Sequence, residues 1–259
     1  GQIDVAVVAR QVGPFQRESF LAATEDEIRS AAGFFFDTAY GMKSVSDYYS
    51  AFSRIAEFNP ILRKGFHRVA FVGTPCQVQA IRKMQTLNIY PSDSIKVCFG
   101  LFCSGNFMFG DQERKKIAQI GEFQWEHVKK INIKEDLILH LDSGEKITIL
   151  LDDLKFLKRH ACHFCSDFAA EYADISFGGL GADEGWTTVI ARSPVGAKIL
   201  SDSKNKAIVE NRQKGWSNLS NQALKKIRLW SNKKKETALA NRKMLGIESP
   251  DLTLEDCPL

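Results

Sequence analysis

Two of the six cysteines in this chain share a CxxC frame, Cys162 and Cys165 in "RHACHFCSDF" (159–168). Such a pair serves zinc ribbons, thiol–disulfide exchange and iron–sulfur clusters alike, so its spacing leaves those chemistries open. A four-cysteine zinc site commonly joins two such knuckles, and a second is missing here. A thioredoxin-type motif needs its first cysteine at a helix start behind a strand, and no strand pattern precedes Arg159. Cys76 and Cys103 stand alone, each in a loop of its own. Together with Cys162 and Cys165 they would make four soft sulfur donors, a set that selects an iron–sulfur cluster or zinc.

The other thiols read differently. Cys98 lies inside an apolar run and is expected to be a small buried hydrophobe. Cys257, close to the last residue, is expected to be a free thiol. His160 and His163 flank the CxxC pair and are read as packing or solvated residues, because four cysteines already complete a ligand set. A second chemical candidate is "FGGLGADEG" (177–185). Without Cβ atoms, Gly178, Gly179 and Gly181 let backbone amides approach a phosphate or a flavin ring, although an ordinary turn uses glycine as readily. Trp186 and Thr187 follow directly, placed either to wall a planar ring or, for the tryptophan, to fill the core.

These residues need elements to position them. "RVAFVGTPCQVQAIRKM" reads as buried strand, tight loop and helix, which sets Cys76 at a helix N-terminus where unpaired amides favour a thiolate. "SIKVCFGLFCSGNF" repeats the theme, with Cys103 in the loop and a helix expected from Phe107 onward. Both cysteines then emerge at the C-terminal ends of neighbouring strands, the usual address of α/β sites. Strands are also expected at "IDVAVVAR" and "ESFLAAT", and Thr24 with Glu27 forms a capping-box pattern at a helix start. "SVSDYYSAFSRIAEF" has the spacing of an amphipathic helix. "LILHLDSGEKITIL" alternates about Asp142-Ser143-Gly144 as an antiparallel hairpin, and a helix is expected from Pro194. The fold class is therefore α/β: a mixed sheet with flanking helices, an inserted antiparallel β-hairpin and a basic helical C-terminal extension.

Composition narrows the function classes. At 259 residues and 44% hydrophobic, the chain can bury a sizeable core without a metal or disulfide staple. No opening run has the order of a secretory signal, and no apolar stretch approaches the roughly 20 residues of a membrane span. The expectation is a cytoplasmic protein with reduced thiols. Twelve Lys or Arg lie between Lys204 and Lys243 against Glu210 and Glu236, within a net charge of only +4. That basic stretch is read as a solvated, peripheral helical face open to an acidic partner or polyanion. Only Trp216 and Trp230 interrupt its charges as stacking residues would, which argues against nucleic acid.

Taken together, "VGTPCQVQAI", "GLFCSGNF", "CHFCSDFAAEYADISFGGLG" and "GWTTVIARS", with the earlier "GPFQRESFLAATEDEIRSAAG", resemble the beta-subunit family of coenzyme F420-reducing hydrogenases and F420-dependent dehydrogenases. The resemblance implies an FAD-binding α/β subunit with one 4Fe-4S cluster that exchanges electrons with the 5-deazaflavin F420. Carried over motif by motif, Cys76, Cys103, Cys162 and Cys165 become the cluster ligands. Gly178, Gly179, Gly181, Trp186 and Thr187 fall in motifs that resemble the flavin site, with Thr74 and Asn106 beside the ligand loops. It also implies a flavin and iron–sulfur binding domain over 1–203, an extension over 204–259, and another redox subunit (hydrogenase, dehydrogenase or ferredoxin-like) as partner. A cluster passes single electrons and a deazaflavin a hydride, so FAD is the expected converter.

Three departures accompany this. The sequence starts at the family's first strand, so the expectation is a flavin pocket without the part that a preceding glycine-containing segment supplies. "AAGFFFDTAYGMKS" stands where members show a short Gly-Ser-Lys-Tyr-like sequence, which leaves a substrate other than F420 open. No ferredoxin-type cysteine run is present, so electrons beyond one cluster require another subunit. A zinc-stabilised, non-catalytic scaffold is the competing reading.

Overall fold

The computed structural model describes residues 3–13, 16–31, 65–90, 92–108, 110–133, 136–183, 186–205 and 216–247. Its centre is a six-stranded mixed sheet. Strand β1 (Val5–Gly13) pairs antiparallel with β2 (Gln16–Ala22) on one side and parallel with β3 (Val69–Gly73) on the other. The parallel run continues through β4 (Ile95–Leu101) to β8 (Ile175–Gly178), and β9 (Thr188–Ala191) closes the edge antiparallel to β8. The central strands are apolar on both faces because both are covered. Val5, Val7, Val69 and Phe71 pack with Val78 and Ile81 of helix α2 (Pro75–Thr86), while Ala6, Val8, Ala70 and Val97 face the other way, with Ile199 packed against them. Ile199 belongs to a helix that begins at Pro194 as expected and runs to Asn205.

The short helix α1 (Glu25–Ser30) starts at the Thr24–Glu27 capping box. The helix expected over 44–58 and the departure at 31–44 fall outside the described residues, apart from Ala31, as does Cys257.

Between β4 and β8 the chain makes a second layer. Helix α3 (Asp111–Gly121) precedes a three-stranded antiparallel sheet of β5 (Val128–Ile133), β6 (Asp136–Leu141) and β7 (Lys146–Leu150). Ile117, Leu137, Leu139, Ile149, Leu154 and Leu157 form its core. The expected hairpin is β6–β7, and β5 adds a strand to it. The helix expected from Phe107 begins instead at Asp111, because Phe107 pairs with Lys158 and the Met108 amide donates to Leu157 O at 2.6 Å. After the Pro194–Asn205 helix, α4, comes the long helix α5 (Trp216–Met244).

The C-terminal helix is basic as expected but not peripheral. Ile227 and Ala238 are buried, and Ile227 packs with Phe168 and Ala169 near Trp230. Those residues recur at helical spacing and turn one face of α5 toward the cysteine segment.

Candidate functional site

Cys76 follows the end of β3. Thr74 caps α2 with extended dihedrals, its amide donating to Gln77 Oε1 at 2.8 Å and its hydroxyl to the same oxygen at 3.1 Å. The Thr74 hydroxyl also lies 3.3 Å from Cys76 Sγ. Cys103 lies two residues beyond β4, its amide bonded to Phe168 O at 2.9 Å. The chain then runs back along the CxxC approach, where the Arg159 amide donates to Asn106 O at 2.8 Å. Asn106 is buried, and its amide donates to Cys162 Sγ at 3.2 Å. A 3-10 turn (His160–Phe164) carries Cys162, and Cys165 leaves it in extended conformation with its thiol toward Asp167 O. His160 packs beside Phe164, with ring centroids 5.2 Å apart.

The Cys103 loop and the CxxC segment are thus bonded together, and Cys76 follows the strand that pairs with β4. Burial pushes the Cys103 thiol up to about 12, Lys234 works against that shift, and the negative charges of Cys76, Cys162 and Cys165 add to it. Cys76 is solvent-exposed, yet desolvation by the surrounding protein raises its thiol as well. The Thr74 hydrogen bond opposes that shift, and the Cys165 and Cys162 charges reinforce it. Among the described residues, no three His, Cys, Asp or Glu side chains are drawn tightly enough to grip a single metal ion. Cys98 stays outside this set: it is fully buried in the main core, as its apolar context predicts, and its thiol is pushed up to about 12 by burial.

The sequence alone did not single out the α5 residues that reach this centre. Lys234 Nζ donates to Cys103 O at 2.6 Å and Asp167 O at 2.8 Å. Asn241 Nδ2 donates to His163 O at 2.8 Å, and an Arg242 guanidinium nitrogen to Phe164 O at 2.9 Å. Asp167 is buried, and its carboxylate accepts the Glu171 amide at 3.0 Å. The available signal was Ile227, Trp230 and Ala238, apolar residues spaced along one face of an otherwise basic run.

The glycine loop divides. A Cβ on Gly178 would stand 2.0 Å from the Phe102 ring, and one on Gly181, at φ +85°, would stand 2.7 Å from Ala223 Cβ on α5. Protein packing accounts for both. Gly179 has open space beside it, and Trp186 and Thr187 are exposed, so the tryptophan is not a core residue. A separate open cleft of ≈ 850 Å³ lies between α3 and the β6–β7 turn, lined by Gly121, Phe123, His127 and Asp142 among others. It shares no lining residue with the cysteines, and the chemistry-bearing side chains meet at the latter.

Comparison with known proteins places the chain in a family. Residues 66–215, more than half of the chain, match the C-terminal part of the family described as "Coenzyme F420 hydrogenase/dehydrogenase, beta subunit". The chain is 28% identical to the coenzyme F420 hydrogenase subunit beta of Methanothermobacter thermautotrophicus over 96% of its own length and 86% of that protein's. It is 26% identical to the corresponding subunit of Methanococcus voltae, over 89% and 78%. Its fold superposes with a TM-score of 0.74 on a chain of the F420-reducing [NiFe] hydrogenase complex from Methanosarcina barkeri, at 27% identity and covering 95% of this chain and 82% of that one. The chain belongs to the coenzyme F420 hydrogenase/dehydrogenase beta-subunit family.

Proposed function

We propose that this chain is the F420-reacting subunit of an oxidoreductase complex, with a 4Fe-4S cluster on Cys76, Cys103, Cys162 and Cys165 and FAD against the glycine loop. The observation that carries the reading is that the Cys103 loop, which follows the strand paired in parallel with the one leading to Cys76, is bonded to the CxxC segment through the Asn106 amide on Cys162 Sγ and the Cys103 amide on Phe168 O. Four cysteines are the ligand number of such a cluster. When bound, the cluster supplies one-electron transfer, and FAD supplies the exchange between single electrons and the hydride of F420.

The chain's own residues hold, orient and shield. The Asn106 amide donates to Cys162 Sγ and orients that sulfur beside the Cys103 loop. The backbone pairing of 106–108 with 157–159 fixes the Cys103 loop against the CxxC turn. Phe102, Phe168 and Trp230 pack together beside the Cys103 loop and cover it with apolar surface. For FAD, the described residues offer Gly179, Trp186 and Thr187 as the accessible part of the loop, while Gly178 and Gly181 shape it. Thr74 and Asn106 act as scaffolding for the ligand loops before any contact with a cofactor. The partner in this reading is another redox subunit, as in the relatives named for hydrogenase complexes.

Anaerobic purification or reconstitution tests the proposal. The protein should be brown, carry about four irons per chain, release FAD, and turn over F420 in preference to nicotinamide or ferredoxin. Stoichiometric zinc without flavin absorbance contradicts it and favours a scaffold. Iron and FAD with no F420 turnover would keep the cofactors and replace the substrate.

A further inference from the structure

Lys234 is the one lysine of the "NKKKE" run whose ammonium is drawn inward, to the carbonyls of Cys103 and Asp167. Its neighbours Lys233 and Lys235 behave differently, one lying 5.5 Å over the Trp230 ring and the other pairing with Glu171. Ile227, Trp230, Ala238 and Asn241 share its helix face, at seven and four residues before it and four and seven after it. Burial of that face, with the Asn241 and Arg242 bonds to the CxxC turn, fixes the Lys234 stem at the junction of the Cys103 and Cys165 segments. Both of its hydrogen-bond partners are uncharged carbonyls, and the nearest carboxylate on that segment, Asp167, takes its hydrogen bonds from the Glu171 amide rather than from this ammonium. The bond to Cys103 O places the ammonium's charge on the backbone of a proposed ligand.

The potential of a thiolate-ligated cluster depends on its net charge and on nearby hydrogen bonds. An added electron makes the centre more negative, and a fixed cation beside it stabilises the reduced form. We propose that Lys234 is a positioning residue of the cysteine centre: its ammonium clips the Cys103 loop to the Asp167 segment and raises the reduction potential of the bound cluster. This rests on the cluster assignment made above. It gives the C-terminal helix a role in setting the centre's redox properties, beyond covering it.

The test uses the full chain, reconstituted anaerobically with iron and sulfide, as wild type, Lys234→Gln and Lys234→Arg. Iron content, the thermal unfolding midpoint and an EPR-monitored redox titration are read for each. Glutamine keeps a donor without the charge; arginine keeps the charge. The expected result is a lower midpoint potential in K234Q, about tenfold in the one-electron equilibrium or ~59 mV, with K234R near wild type. K234Q that loses iron at an unchanged unfolding midpoint, while K234R retains it, supports the clip directly. An iron-replete K234Q at the wild-type potential overturns the inference, as does a K234R indistinguishable from K234Q. A wild-type chain that takes up no iron is a different failure: it removes the cluster assignment, and the inference with it.

Discussion

At the scale of single residues, the five described cysteines separate by their surroundings into the proposed ligand set and one core packing residue. Cys98 and Cys103 are only five positions apart, yet one faces the main core and the other the meeting point of three loops. Cys98→Ala is expected to cost about 1 kcal/mol of stability, as a single small core deletion does, and to leave iron content unchanged. Cys103→Ala should abolish iron binding. Parallel denaturation curves and iron assays compare the two. A titration prediction concerns the exposed His127–Asp142 pair at 3.0 Å. The hydrogen bond to Asp142 raises the His127 pKa, and the reciprocal bond lowers that of Asp142. For His127 the stabilisation is complete below the unfolded imidazole pKa and fades as pH rises through the folded value. For Asp142 it is present above the unfolded carboxylate pKa and fades as pH falls through the folded value. NMR titration of the His127 ring should therefore give a pKa above that of a free histidine, and Asp142→Asn should return it toward the free value.

At the scale of elements, Asp174 joins the sheet to its flanking helices. Its carboxylate accepts the Cys98 amide at 2.8 Å, Arg82 of α2 at 2.9 Å and the Ser193 hydroxyl at 2.6 Å. Removing one partner of a buried pair strands the other charge, so Asp174→Ala should lower the unfolding free energy by about 3–5 kcal/mol in denaturant titrations. Gly181 distinguishes two roles for the glycine loop. If it serves the docking of α5, Gly181→Val should destabilise the chain by roughly 1–3 kcal/mol and loosen iron together with FAD. Loss of FAD alone at unchanged stability would assign Gly181 to the cofactor. Much of this layout was legible in the sequence. β3, β4 and the helix at Cys76 announce themselves as apolar runs broken by "GTP" and followed by helical spacing. Strand β5 did not, because a register shift between Val128 and Lys130 breaks its two-residue alternation. The α3 start was misplaced because long-range pairing of Phe107 with Lys158 overrides local helical preference. The inward turn of Lys234 had no local signal, since a lysine between two lysines looks the same in sequence whether its stem is solvated or buried.

At the scale of the molecule, one helix holds the cysteine segment on one face and exposes a row of basic side chains on the other. The face of α5 with Ile227, Lys234 and Ala238 holds the cysteine segment, and the other face exposes Lys225, Lys226, Arg228 and Lys233. No helix among the described residues is long and apolar enough to cross a membrane. A basic surface backing the proposed redox centre suits a negatively charged electron-exchange partner. Turnover with an acidic carrier protein should then slow as salt rises from low ionic strength, where the Debye length is about 30 Å, to about 8 Å at physiological strength, and Lys225→Glu with Lys226→Glu should flatten that dependence. The central claim is that sulfurs from three separate loops bind one inorganic centre. An anomalous difference map collected at the iron edge from anaerobically grown crystals tests it most directly. The expected map shows a single iron cluster with Cys76, Cys103, Cys162 and Cys165 each bonded to an iron; iron density touching only the CxxC pair, or none near Cys103, would contradict this.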